Sequence, residues 1–211
     1  MLPNYLTVKG QGNNEIIIEK SRFIAHVSRT ETEEEALGFI AKIKKIHKDA
    51  THNCSAYMIG EQNQIQKALD DGEPTGTAGV PILEVIKKRN LKDTTVVVTR
   101  YFGGIKLGAG GLIRAYSKAA SEGITATGVV QRKLVKVITV EVEYPLLGKL
   151  ENELRSSEFQ LKEIIYLDKV TINVFVEEQS IPRYKDWMVE LTSGQAKITE
   201  GEQLYLEEDF F

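Results

Sequence analysis

A valine run, Val96-Val97-Val98, leads directly into Arg100-Tyr-Phe-Gly-Gly-Ile-Lys-Leu-Gly-Ala-Gly-Gly-Leu-Ile-Arg114, which holds five glycines, two arginines and a lysine. The valines mark a buried strand over Thr94–Tyr101, and a helical pattern runs from Gly110 to Gly123. The loop must therefore turn a strand into a helix. Glycine lets the backbone reach φ > 0 and lets another molecule approach closely. The helix start adds unpaired N–H groups and a partial positive charge. Together these make a candidate anion site. Its candidate residues are Arg100, Tyr101, Phe102, Gly103, Gly104, Lys106, Gly108, Gly110, Gly111 and Arg114. The cations and the N–H groups at Gly108–Gly111 suit phosphate, and Tyr101 or Phe102 suits stacking on a base. The two aromatics read equally well as core residues at a strand end.

A second stretch, Asp70-Asp-Gly-Glu-Pro-Thr-Gly-Thr-Ala-Gly-Val-Pro81, also precedes a helical segment. Asp70, Asp71 and Glu73 form a possible acid or cation cluster, since close carboxylates bind a cation or keep one raised pKa. The alternative is a turn built from Asp-Gly and Glu-Pro, in which the acids only cap or solvate. His52-Asn-Cys54 reads either as a nucleophile pair or as a buried cysteine beside a supporting histidine. The glycine loop fails the Walker A pattern, because Ala109-Gly110 stands where Lys-Ser/Thr is required. No G-x-G-x-x-G or G-x-S-x-G occurs. The loop is loosely similar to the phosphate loop of the galactokinase/homoserine kinase superfamily, without its paired serines.

At 211 residues the chain fits one large domain or two small ones. The single cysteine excludes an internal disulfide and a zinc site of paired cysteines. His26, His47 and His52 lack metal-ligand spacing, so no metal and no cofactor is expected. No run of about 18 apolar residues offers a membrane span. The first residues lack the pattern of a signal peptide, and the cytoplasm is the expected compartment. Charge is uneven. Residues 1–134 carry 19 Lys+Arg against 14 Asp+Glu, and the remainder 8 against 16. A basic half holding the glycine loop fits a polyanion partner such as RNA, and chance fluctuation fits as well.

The last part of the chain reads clearly. Val135–Glu143 is a strand and Pro145–Ser157 a helix. Gln160–Tyr166 and Val170–Glu177 are strands joined by a hairpin, Ile181–Thr192 is a helix, and Ala196–Leu206 is a strand. The order β-α-β-β-α-β is ferredoxin-like. In the first part, Asn14–Glu19 and Ser21–Arg29 pair across a turn near Lys20. Thr32-Glu-Glu-Glu35 is a capping box opening a helix to about His47, whose apolar face is Ala36, Phe39, Ile40, Ile43 and Ile46. Cys54–Ile59 and Gln64–Ala68 are extended, and Pro81–Lys88 is helical.

The motifs His52-Asn-Cys-Ser-Ala-Tyr57, Asp70 to Gly79 and Arg100 to Tyr116, in this order, resemble the signatures of the Impact family. The resemblance implies an α+β chain of two domains: residues 1–134 with the ribosomal protein S5 domain 2-like fold, and residues 135–211 a ferredoxin-like domain. It implies a role near translation, since eukaryotic members regulate translation, and it carries over no catalytic residues. Three functions are expected from the sequence as a whole. The first is a non-enzymatic protein that binds RNA or the ribosome through the basic glycine loop. The second is an enzyme or binder acting on a nucleotide or phosphorylated small molecule there. The third is an interaction module that docks a protein partner, unidentified by sequence, through the acidic second domain.

Overall fold

The computed structural model describes residues 1–210, which form a mixed α/β architecture of two compact units. One comprises Leu2–Arg132 with the residues from Glu207 onward, and the other Lys133–Leu206 with Met1.

In the first unit the elements are β1 (Asn4–Val8), β2 (Gln11–Ile18), β3 (Ser21–Arg29), α1 (Glu33–Ile46), β4 (His52–Ile59), β5 (Ile65–Leu69), α2 (Gly79–Lys88), β6 (Thr94–Tyr101) and α3 (Gly108–Thr127). β7 (Val129–Val142) runs across the division between the units. The sheet order is β2-β3-β6-β4-β5, antiparallel throughout. Side chains alternate between faces along a strand. Val97 therefore packs with Tyr57 and Ile59 against Ala36, Phe39, Ile40 and Ile43 of α1. Val96 and Val98 pack with Phe23, Ala25 and Cys54 against α2 and α3. A strand covered on both faces needs apolar residues at consecutive positions, which is the reason for the valine run.

Several boundaries differ from the sequence reading for identifiable reasons. β1 and the first residues of β7 were not foreseen. α3 continues through Gly123 because that glycine is a packing residue: a Cβ there would lie 2.6 Å from Ala25 Cβ. The helix ends instead at Gly128, whose φ is 85°. In the capping box, Thr32 Oγ1 accepts the Glu35 N–H at 3.2 Å, but the Glu35 carboxylate accepts from Glu31 N–H rather than from Thr32. Ile46, expected on the apolar face, is 60% exposed.

The second unit contains most of β7, then α4 (Tyr144–Arg155), β8 (Gln160–Tyr166), β9 (Val170–Glu177), α5 (Ile181–Thr192) and most of β10 (Lys197–Phe210), with a 3-10 turn at Glu178–Ser180. β10 pairs with β7, β7 with β9, and β9 with β8. The first and third strands of the motif are thus central, which is the ferredoxin-like order. Ile138, Val140, Ile172 and Val174 form one core with Leu150 and Leu154 of α4 and Tyr184 and Met188 of α5. Pro145 and Pro182 sit in the first turns of α4 and α5, where a missing N–H costs nothing.

Candidate functional site

The two glycine-rich stretches meet. Thr51, His52, Glu73, Pro74, Arg100, Phe102, Lys106, Leu107, Gly108, Ala109 and Leu112 line one cavity of about 340 Å³ in the first unit. Sequence alone left this convergence open.

Glu73 and Arg100 are the buried charges of the cavity wall. Arg100 Nη1 donates to Glu73 Oε1 at 2.6 Å, and their side chains are only 6% and 4% exposed. The Tyr116 hydroxyl, from α3, donates to the same oxygen at 2.7 Å. Arg100 also lies 5.4 Å from the ring centroids of both Phe23 and Phe102. Its Nε, although buried, has no hydrogen-bond partner among the described residues. Arg100 is therefore an internal cation rather than a surface phosphate contact. Tyr116, which no sequence pattern assigned a role, completes the anchoring of the carboxylate. Burial raises the pKa of its hydroxyl far above the ordinary range, so it remains a donor.

Asp70 and Asp71 do not join Glu73 on a common ligand. Asp70 fills the start of α2: Oδ1 accepts the N–H groups of Ala78 (3.1 Å) and Gly79 (2.8 Å), and Oδ2 accepts that of Gly76 (2.8 Å). Burial pushes its carboxyl up, but these N–H groups outweigh burial and hold the pKa below the ordinary value. Asp71 accepts from Lys44 Nζ at 2.6 Å and from Asn53 N–H at 2.7 Å. Burial raises its pKa too, and Lys44 and Asn53 more than offset that. Among the described residues no group of three or more His, Cys, Asp or Glu is placed to hold a metal ion. Asp70→Asn is expected to lower stability by ~1–2 kcal/mol at neutral pH, because it weakens a cap made to backbone N–H groups. A carboxyl with a depressed folded pKa stabilises above its unfolded pKa and loses that contribution as pH falls through the folded value. The gap between variant and wild type should therefore close under acid, in urea denaturation followed from pH 7 to pH 3.

The His52–Cys54 pair is not a nucleophile. Cys54 is fully buried, its thiol lies 3.0 Å from the Asp70 carbonyl and 3.3 Å from the Tyr116 hydroxyl, and burial pushes its pKa up to about 12. Thiolate is the reactive form, so this cysteine is inert at neutral pH. His52 Nδ1 lies 2.8 Å from the Asp71 carbonyl oxygen. A carbonyl only accepts, so Nδ1 carries the proton and Nε2 faces Glu73 Oε2 at 3.8 Å.

The remaining loop residues divide into scaffold and surface. The Tyr101 hydroxyl is 3.0 Å from His47 Nδ1. Gly103 N–H donates to Ser21 Oγ at 3.1 Å, and Gly104 and Gly108 adopt φ of 87° and 66°. Gly111 has Leu107 Cβ 3.0 Å from where its own Cβ would be. Phe102 is 47% exposed, and Lys106, Gly110 and Arg114 are exposed. Lys106 lines the cavity, whereas Arg114 lies outside its lining. α3 begins at Gly108 with no side-chain cap and no acid in its first turn. Among the described residues a carboxylate, that of Asp70, caps the N-terminus of α2, and no side chain caps that of α3.

Comparison with known proteins places this site in context. The family model for the Impact N-terminal domain matches residues 19–124, and one for a domain of unknown function, DUF1949, matches residues 140–195. The chain is 62% identical to the IMPACT family member YvyE of Bacillus subtilis over 98% of its own length and 95% of that protein. It is 34% identical to the IMPACT family member YigZ of Escherichia coli over 68% of this chain and 74% of that one. Mouse Protein IMPACT is 40% identical over 42% of this chain and 29% of its own. A crystal structure of a hypothetical protein superposes with a TM-score of 0.61 at 27% identity, covering 96% of this chain and 99% of that one. No helix among the described residues is long and apolar enough to cross a membrane.

Proposed function

The chain belongs to the Impact family, and from that premise we propose that it binds RNA at the cavity before α3 and acts in translation. The observation that carries the reading is the open N-terminus of α3. Its free N–H groups and partial positive charge border a cavity that Lys106 also lines, and among the described residues no side chain caps the helix and no acid stands in its first turn. Phe102, exposed and backed by Arg100, supports stacking of a base. Arg114 adds a surface cation to the first turns of the same helix.

The test is affinity for purified ribosomes and for a mixed RNA pool across a salt series. Lys106→Ala and Arg114→Ala should each weaken binding and each lower the log–log salt slope by about one, the signature of one lost phosphate contact. Unchanged affinity and slope in the double variant would remove this site from the proposal. One observation favours a second reading. A cavity with a fixed carboxylate and histidine in its wall also suits a nucleotide or phosphorylated metabolite. Thermal stabilisation by such a compound without any RNA affinity would select that reading.

A further inference from the structure

The cavity wall holds two hydrogen-bond acceptors side by side. Glu73 Oε1 is occupied by Arg100 and Tyr116, which fixes the carboxylate. Its other oxygen, Oε2, accepts no hydrogen bond among the described residues and lies 3.8 Å from His52 Nε2. The His52 ring is held by its Nδ1–H bond to the Asp71 carbonyl, so in the neutral ring Nε2 presents a lone pair. Both residues line the same cavity as Lys106 and the first residues of α3. Glu73 is a charged side chain more than nine-tenths buried whose second oxygen has no donor among the described residues and opens to the cavity, so its donor there is water or a ligand that displaces it.

A phosphate does not fit at that end, because a buried carboxylate repels a second anion. Two neighbouring O–H donors do fit, one for each acceptor. A vicinal diol supplies them, and a carboxylate is a general reader of ribose hydroxyls. We infer that the cavity takes the 3′-terminal ribose of an RNA chain, with its free 2′,3′-diol donating to Glu73 Oε2 and His52 Nε2. The phosphodiester that precedes this ribose then falls to Lys106 and the α3 N–H groups, and the terminal base to Phe102. The assignment rests on the RNA reading above and adds the polarity of the strand and the group that is read.

The experiment varies the RNA end, so it does not depend on a Glu73 variant that folds. Short RNAs of one sequence ending in a free 2′,3′-diol, a 3′-phosphate or a 2′,3′-dideoxyribose are titrated by fluorescence anisotropy, with adenosine monophosphate as a separate ligand. The diol end should bind about tenfold more tightly than either modified end, as expected for loss of hydrogen bonds that include one to a charged acceptor. His52→Ala should reduce that preference severalfold. Equal affinity for all three ends would overturn the diol assignment while the RNA reading stands. Binding of adenosine monophosphate but of none of the RNAs would overturn the RNA source and the reading above with it.

Discussion

Arg100→Met is expected to lower stability by about 3–5 kcal/mol, the usual cost of removing one partner of a buried ion pair. The substitution retains most of the apolar stem but leaves Glu73 with a carboxylate 4% exposed and only Tyr116 donating to its Oε1. It also removes the cation packed against Phe23 and Phe102. Much of the cost belongs to the stranded carboxylate rather than to the lost attraction. Glu73→Gln added to Arg100→Met should therefore recover a large part of it, because a neutral amide is far cheaper to bury. Urea denaturation of the two single variants and the double gives the coupling energy directly. A cost below ~1 kcal/mol for Arg100→Met would show that water reaches the carboxylate and that the pair is not buried in solution. The cycle also bears on function. The ion pair holds Glu73 in the cavity wall, so binding measurements on single charge variants must be read beside their stabilities.

The elements that were legible in the sequence are those specified locally. Thr94–Tyr101, Val170–Glu177 and Ile181–Thr192 were bounded correctly because a valine run, period-two alternation and a proline in the first helical turn each mark an element without outside help. Where structure depends on a distant partner, the reading failed. The start of α2 is set by Asp70, eight and nine residues before the N–H groups of Ala78 and Gly79, so a search for a neighbouring cap residue misses it. The sequence pattern of α3 ends at Gly123, yet that glycine continues the helix and serves its contact with Ala25 of β3. The site follows the same rule. The glycine stretches pointed to the two loops that line the cavity because their composition is local. The distinction between Arg100 as buried counter-ion and Lys106 as cavity-lining cation requires knowing that Glu73 packs against Arg100. Tyr116 was out of reach for the same reason, since a helical tyrosine shows no hydroxyl partner in sequence.

Gly103→Ala should be the most damaging single-carbon change in the glycine loop, costing about 4 kcal/mol or more, in the range reserved for severe overpacking or strain. A Cβ at this position would lie 2.1 Å from the carbonyl carbon and oxygen of Lys20 and 2.4 Å from Ser21 N. These are backbone atoms, so no side-chain rotation relieves the overlap. Nor is the opposing turn free to retreat. Glu19 and Lys20 form the two-residue loop between β2 and β3, both already at positive φ (46° and 63°), and the flanking residues Ile18 and Ser21 are paired. Positive φ at two non-glycine residues stores strain that a forced shift would increase. Separating the two segments would also lengthen the Gly103 N–H to Ser21 Oγ bond. Gly104→Ala is the matched control: its Cβ would meet nothing within 4 Å, and only its φ of 87° resists a side chain, which predicts ~1–2 kcal/mol. Both variants are compared by urea denaturation and, where folded, by RNA affinity. If Gly103→Ala is no worse than Gly104→Ala, the loop does not rest on the β2–β3 turn. If it is much worse, that turn is the anchor of the loop that sets Phe102 and Lys106 in the cavity lining.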